Sequence, residues 1–159
     1  MSRVQLALNV SDLDAAVQFY TELFGVEPAK RRPGYANFAI EDPPLKLVLI
    51  AGGGAPGTLN HLGVEVGSTD EVAAATLRLA AAGLSTVTED EVACCYAVQD
   101  KVWVDDPDGA PWEVYAVLGE ADAPAGSLRA VTPDRAGTCC VPADDATGAA
   151  VGDPPPGAA

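Results

Sequence analysis

The chain has a single histidine, few cations and no apolar run long enough to cross a bilayer. Any imidazole chemistry therefore runs through His61. Lysine and arginine number 9 against 23 aspartates and glutamates, for a formal net charge of −14. Up to Leu118 there are 7 basic and 17 acidic residues, so −10 of that charge lies in the body of the chain. Such a field argues against nucleic acid and anionic membranes as partners, because no basic surface exists to release counterions. The one basic cluster, Lys30-Arg31-Arg32, reads as a solvated edge strand. Arg3 and Gln5 interrupt the short apolar run at the start, so no secretory leader is expected. The four cysteines occur only as two vicinal pairs, Cys94-Cys95 and Cys139-Cys140. That arrangement argues against a disulfide framework and for a reducing, cytoplasmic setting.

What is present suits one domain: 159 residues, of which 48% are hydrophobic and 20% charged. From residue 120 onward the sequence is Ala, Gly, Pro, Asp and Thr without apolar periodicity. It cannot bury enough apolar surface to offset its ordering entropy, so residues 120–159 are expected to be a disordered tail. Residues 1–119 contain an internal repeat. Gln5-Leu6-Ala7-Leu8-Asn9-Val10-Ser11-Asp12 aligns with His61-Leu62-Gly63-Val64-Glu65-Val66-Gly67-Ser68. Each is an alternating strand leading to a helix N-cap, Ser11 or Asp12 in one copy and Ser68 or Thr69 in the other.

Helices are expected over about Leu13–Phe24 and Asp70–Ala82, stopping at Gly25 and Gly83. Three strands should follow each helix, near Ala29–Arg32, Tyr35–Ile40 and Leu45–Ile50, then Ser85–Glu89, Ala97–Val104 and Trp112–Leu118. The glycine-rich stretch from Gly52 to Gly57 lacks the Lys-Ser/Thr ending of a phosphate loop and reads as the linker between halves. The expectation is an α+β fold of two tandem βαβββ modules, about 1–52 and 58–119.

Strand parity then locates candidate chemistry. Val4, Leu6, Leu8 and Val10 share the helix-facing side of the first strand, which leaves Gln5, Ala7 and Asn9 opposite. Leu62, Val64 and Val66 likewise leave His61, Gly63 and Glu65. Trp112, Val114, Ala116 and Leu118 leave Glu113, Tyr115 and Val117. If the modules curl toward each other, Gln5, His61 and one carboxylate can meet as a facial set for a divalent metal with open positions. A lone histidine is more often structural than ligating, although its repeat-equivalence to Gln5 shifts that balance. Spacing alone does not choose between Glu113 and Glu65.

Cys94-Cys95 lies in a stretch that reads as a loop feeding a strand. Neighbouring side chains in a regular strand point to opposite faces. With irregular backbone, however, two thiols can converge on one soft atom such as a thiophilic metal or trivalent arsenic. The plainer alternative is a pair of small buried residues.

These residues carry a resemblance. The chain to about Leu118 resembles the vicinal oxygen chelate superfamily, which includes glyoxalase, bleomycin-resistance and extradiol dioxygenase proteins. The segments Met1–Val10, Lys30–Phe38, Leu59–Val66 and Cys94-Cys95-Tyr96 look like the cadmium-induced proteins, and equally like carbon–arsenic lyases of bacterial arsenic-resistance operons. The resemblance implies a cup-shaped mixed sheet with metal ligands on the first and last strands of the modules. It points to Gln5, His61 and Glu113 rather than Glu65, with Lys46 at the first-half equivalent of Glu113.

It further implies Fe(II), with Ni, Co, Mn or Zn as other occupants, and Cys94, Cys95 and Tyr96 against a trivalent organoarsenical that is cleaved with dioxygen. Gln5 in place of a second histidine departs from the extradiol pattern and leaves metal identity open. Tyr35, Phe38 and Tyr115 are further candidates for the substrate wall, with core packing as the alternative for each. Cys139-Cys140 could pass metalloid to Cys94-Cys95, though incidental placement is the plainer reading. A homodimer is among the assemblies the resemblance allows. Two rival classes stay open: a metal or metalloid binder without catalysis, and a glyoxalase-like metalloenzyme.

Overall fold

The computed structural model describes residues 2–94 and 96–121. Cys95, Cys139 and Cys140, and the expected tail beyond residue 121, lie outside the described residues. In chain order the elements are β1 (Arg3–Val10), α1 (Leu13–Phe24), β2 (Lys30–Arg32), β3 (Tyr35–Ile40), β4 (Leu45–Ala51), β5 (Leu59–Glu65), α2 (Thr69–Ala81), β6 (Thr86–Cys94), β7 (Ala97–Asp105) and β8 (Pro111–Glu120). This is the expected pair of βαβββ modules. Neither helix is long and apolar enough to cross a membrane.

The helices start and stop where local chemistry dictates. Asp12 caps α1 by accepting the backbone N–H groups of Asp14 and Ala15, and Ser68 caps α2 through the N–H of Glu71. Each cap contributes about 1 kcal/mol. Gly25 takes the left-handed conformation at φ 68° and donates its N–H to the Thr21 carbonyl, ending α1.

All eight strands form one mixed sheet in the order β2-β3-β4-β1-β5-β8-β7-β6, a palindrome of the two modules about the antiparallel β1–β5 seam. On one face α1 covers Phe38, Ile40, Leu47 and Leu49, and α2 covers Val102 and Ala116. Burying a side chain such as Phe38 stabilises by roughly 1.5–3 kcal/mol. The other face is concave, because the sheet curls until its two ends meet. Tyr96, in the turn after β6, packs its ring 5.8 Å from that of Tyr35 on β3. Lys30 on β2 donates to the Tyr96 carbonyl at 3.0 Å and to Glu120 Oε2 at 2.6 Å.

Four expectations change. Phe38 is not a cavity residue: it lies an odd number of positions from Tyr35, faces α1, and is fully buried there. Lys30 is not simply solvated, since it clasps the two sheet ends, whereas Arg31 and Arg32 are exposed. The acidic run before the cysteines is not a loop. Strand β6 continues through it by a bulge between Glu89 and Val92, with Glu91 at φ 50° and its N–H bonded to Asp100 Oδ1 at 2.8 Å. Cys94 is therefore the last strand residue and pairs with Ala97. Finally, β8 runs on through Glu120, the first residue of the expected tail. The glycine linker between the modules is pinned: Gly57 N–H bonds the Asn9 carbonyl and Asn9 N–H bonds the Thr58 carbonyl.

Candidate functional site

Register, more than proximity in sequence, assembles the site. Across the concave face one row of paired residues reads Lys46, Gln5, Gly63, Glu113 and Trp103. The adjacent row reads Arg3, Glu65, Tyr115 and Lys101. His61 stands two residues from Gly63 on the same face. Because Gly63 has no side chain, Gln5 and Glu113 reach toward each other over it. Gln5 Nε2 lies 2.8 Å from Glu113 Oε1 and 3.0 Å from His61 Nε2, and His61 Nε2 lies 3.4 Å from Glu113 Oε1. All three are at least 96% buried, with exposures of 4% for Gln5 and 3% for His61 and Glu113.

A β-carbon added at Gly63 would sit 3.1 Å from Glu113 Cγ and 3.3 Å from Gln5 Cβ. Gly63→Ala must therefore push both side chains apart by a few tenths of an ångström. We expect that variant to stay folded but to bind divalent metal about tenfold more weakly, as disturbed supporting groups generally do. Calorimetric titration with Zn(II) checks it; unchanged affinity would mean the gap is not needed.

The protons on His61 follow from its neighbours. Thr58 donates its hydroxyl to the Ala55 carbonyl, so its oxygen accepts from Asn9 Nδ2. Asn9 Oδ1 accepts from Asn60 Nδ2, which leaves Asn60 Oδ1 to accept from His61 Nδ1 at 2.7 Å. Nδ1 thus carries the hydrogen, and Nε2 presents its lone pair to Gln5 and Glu113. The pinned linker sets the tautomer.

Glu113 is oriented by Lys101, whose Nζ lies 2.8 Å from Oε2 and leaves Oε1 for the cluster. Burial pushes the Glu113 carboxyl up, but the Lys101 charge leads the interactions that outweigh it, holding the group well below the usual carboxylate range. Glu65 is engaged elsewhere, with Oε1 2.9 Å from Arg3 and Oε2 2.9 Å from Lys46. Its burial is likewise outweighed, chiefly by Lys46, so its carboxyl is lowered. The Tyr115 hydroxyl bonds Gln5 Oε1 at 2.6 Å and Glu65 Oε2 at 2.9 Å. Burial first, then Glu113 and Glu65, push that phenol well above its ordinary value.

The donor set suits a divalent cation. It offers a neutral imidazole lone pair, one carboxylate oxygen and a carboxamide that can present its oxygen. Among the described residues no three His, Cys, Asp or Glu side chains gather round one point, so the amide is needed as the third donor. Of the other sequence candidates, Cys94 is 1% exposed and packs against Trp103. Trp103 in turn stands edge-on to His61, ring centres 5.6 Å apart, so the same indole contacts both Cys94 and His61. Tyr96 and Tyr35 form an apolar wall with Ala7, Val48 and Ile50. Tyr96 is left-handed at φ 62°, a costly conformation for an aromatic residue, stabilised by the Lys30 and Ala121 bonds to its carbonyl.

Lys101, Trp103, Asn60 and Gly63 were not singled out from the sequence. Parity in β7, where Val98, Val102 and Val104 alternate with Gln99, Lys101 and Trp103, is the signal that reveals the first two.

Residues 3–114 match the profile of the Glyoxalase/Bleomycin resistance protein/Dioxygenase superfamily. The chain belongs to this superfamily. Two full-length relatives stand near it. A trivalent organoarsenical cleaving enzyme of Thermomonospora curvata is 59% identical over 154 residues, covering 96% of this chain and 97% of the relative. The cadmium-induced protein CadI of Mycobacterium tuberculosis is 57% identical over 150 residues, covering 94% and 99%. Among solved structures of the superfamily, the Mn(II)-bound glyoxalase of Novosphingobium aromaticivorans superposes with a TM-score of 0.54 at 22% identity, over 81% of this chain and 44% of that one. An extradiol ring-cleaving dioxygenase from B. fuscum gives 0.55 at 20%, over 76% and 34%. These last two share the fold. The superfamily includes metal-dependent members, in keeping with the buried donor set.

Proposed function

We propose that this protein is a carbon–arsenic lyase that uses Fe(II) and dioxygen to remove the organic group from trivalent organoarsenicals, methylated or aromatic, in the cytoplasm. The observation that carries the reading is the meeting of Gln5, His61 and Glu113 within 3.4 Å of one another, with the Trp103 indole in contact with both His61 and Cys94. The 59% identical relative named a trivalent organoarsenical cleaving enzyme supports it.

A monosubstituted trivalent arsenical has one As–C bond and two exchangeable positions. Cys94 and Cys95 would take those two positions and leave the organic group directed into the cup. The Tyr35–Tyr96 wall and Trp103 would keep that group from water, while Gln5, His61 and Glu113 would hold the metal. Fe(II) held there supplies dioxygen activation. Bringing arsenical and oxygen together in one buried site supplies most of the advantage, through proximity. The products are inorganic arsenite and an oxidised organic fragment.

The discriminating experiment is anaerobic reconstitution with Fe(II), then methylarsenite with and without oxygen. Arsenite should form only with oxygen, with stoichiometric oxygen uptake. Equal arsenite without oxygen, or none in either arm, rejects the reading. The CadI relatives favour a second reading, in which the thiols sequester Cd(II) without turnover. Tight Cd(II) binding with no oxygen uptake would select it.

A further inference from the structure

We propose that Tyr115, held by Glu65, is a positioning residue that turns the Gln5 carboxamide so that its oxygen, rather than its NH2 group, faces His61 and Glu113 when a divalent cation binds; this rests on the metal reading above.

As the carboxamide stands, Nε2 spans Glu113 Oε1 at 2.8 Å and His61 Nε2 at 3.0 Å, while Oε1 lies 2.6 Å from the Tyr115 hydroxyl. That hydroxyl also lies 2.9 Å from Glu65 Oε2. A carboxylate only accepts, and Gln5 Oε1 only accepts, so Tyr115 faces two acceptors with one hydrogen to give. The His61 and Glu113 end is satisfied; the Tyr115 end is one hydrogen short.

Rotating the carboxamide by 180° reverses the account. Nε2 then donates to the Tyr115 oxygen, Tyr115 gives its hydrogen to Glu65, and every group at that end is satisfied. The Gln5 oxygen now joins the His61 lone pair and Glu113 Oε1. Three acceptors pointing at one place repel, unless a cation sits among them. Each orientation therefore has one frustrated end, and a cation relieves the frustration of the second.

Tyr115 cannot easily turn from this task. Two ammonium groups lie over its ring, Lys46 Nζ at 5.0 Å and Lys101 Nζ at 5.8 Å from the ring centre. Glu65 is fixed in turn by Arg3 and Lys46. Lys46, paired with Gln5 on β4, is thus the cation that anchors this support.

The test is Zn(II) titration of the full chain by calorimetry, with the Gln5 side-chain NH2 followed by ¹⁵N-correlated NMR and assigned by its loss in Gln5→Glu. In the wild type the NH2 resonances should shift on Zn(II) binding, as the group leaves the Glu113 carboxylate and the His61 lone pair for a phenol. Tyr115→Phe should weaken Zn(II) by about 10- to 100-fold. Glu65→Gln should weaken it similarly, because its new amide can donate to Tyr115 and send the hydroxyl hydrogen back to Gln5; it also serves if Tyr115→Phe fails to fold.

In a Gln5→Glu background both ends of the side chain are oxygens and orientation ceases to matter, so Tyr115→Phe should cost no more than about threefold. Wild-type affinity in Tyr115→Phe would overturn the positioning role while leaving the metal reading intact. So would an equal penalty in the Gln5→Glu background, which would assign Tyr115 to packing. A wild-type protein that takes up neither Zn(II) nor Fe(II) would overturn both.

Discussion

Glu113→Gln is expected to abolish high-affinity metal binding and to destabilise the fold by about 3 kcal/mol, the order seen when one partner of a buried ion pair is removed. Lys101 is 1% exposed and its Nζ lies 2.8 Å from the Glu113 carboxylate. The amide keeps the shape but leaves the ammonium without that compensating charge. It also swaps an anionic donor for a neutral one at the cluster.

The pH dependence has a definite sign. Because Glu113 titrates below its ordinary value of 4.5 in the fold, the unfolded chain binds more protons between the two values. The stabilisation is fully present above 4.5 and is lost as pH falls through that window. Wild-type urea midpoints should therefore drop on acidification, and the variant's should drop less. Glu65, shifted in the same direction, keeps part of the slope in both. Midpoints at about pH 7 and about pH 3.5 check this; equal stability of the two proteins at pH 7 would remove the buried pair from the account.

The second large effect separates the thiols from the metal cluster. Cys94→Ser or Cys95→Ser should abolish tight binding of a trivalent arsenical and leave Fe(II) bound, whereas His61→Ala should do the reverse. The basis is spatial. His61 Nε2 faces Gln5 and Glu113, while Cys94 packs against the Trp103 indole. A serine hydroxyl is harder and far less acidic than a thiol, so it cannot replace one thiolate bond to arsenic at neutral pH. All three variants should lose turnover completely. Arsenical titration by thiol-sensitive absorbance, paired with Fe(II) chelator competition, gives the two readings independently. Activity surviving either cysteine change would reject the two-thiol anchor. Loss of Fe(II) on Cys94→Ser would mean that the two sites are one.

Much of the fold was legible in the chain. The Leu6/Leu8/Val10 and Leu62/Val64/Val66 alternations, the Asp12 and Ser68 caps and the Gly25 stop are local signals, and local sterics and hydrogen bonding decide them. Parity placed Gln5, His61 and Glu113 on one face because the side-chain period of a strand is two, whatever its neighbours. Parity also kept Glu65 in contention, since Glu65 lies on that face as well.

What parity could not supply was the row to which each residue belongs. That depends on how strands far apart in sequence pair, and only the assembled sheet decides it. Pairing sets Gln5 and Glu113 on either side of Gly63, and it puts Glu65 one row away against Arg3 and Lys46. The same long-range pairing carries β6 through its acidic bulge to Cys94 and curls the sheet until Lys30 reaches Tyr96. The sequence by itself determined which residues could face the cup. The tertiary structure decided which of them touch, because register across strands is a property of the whole sheet and not of any one segment.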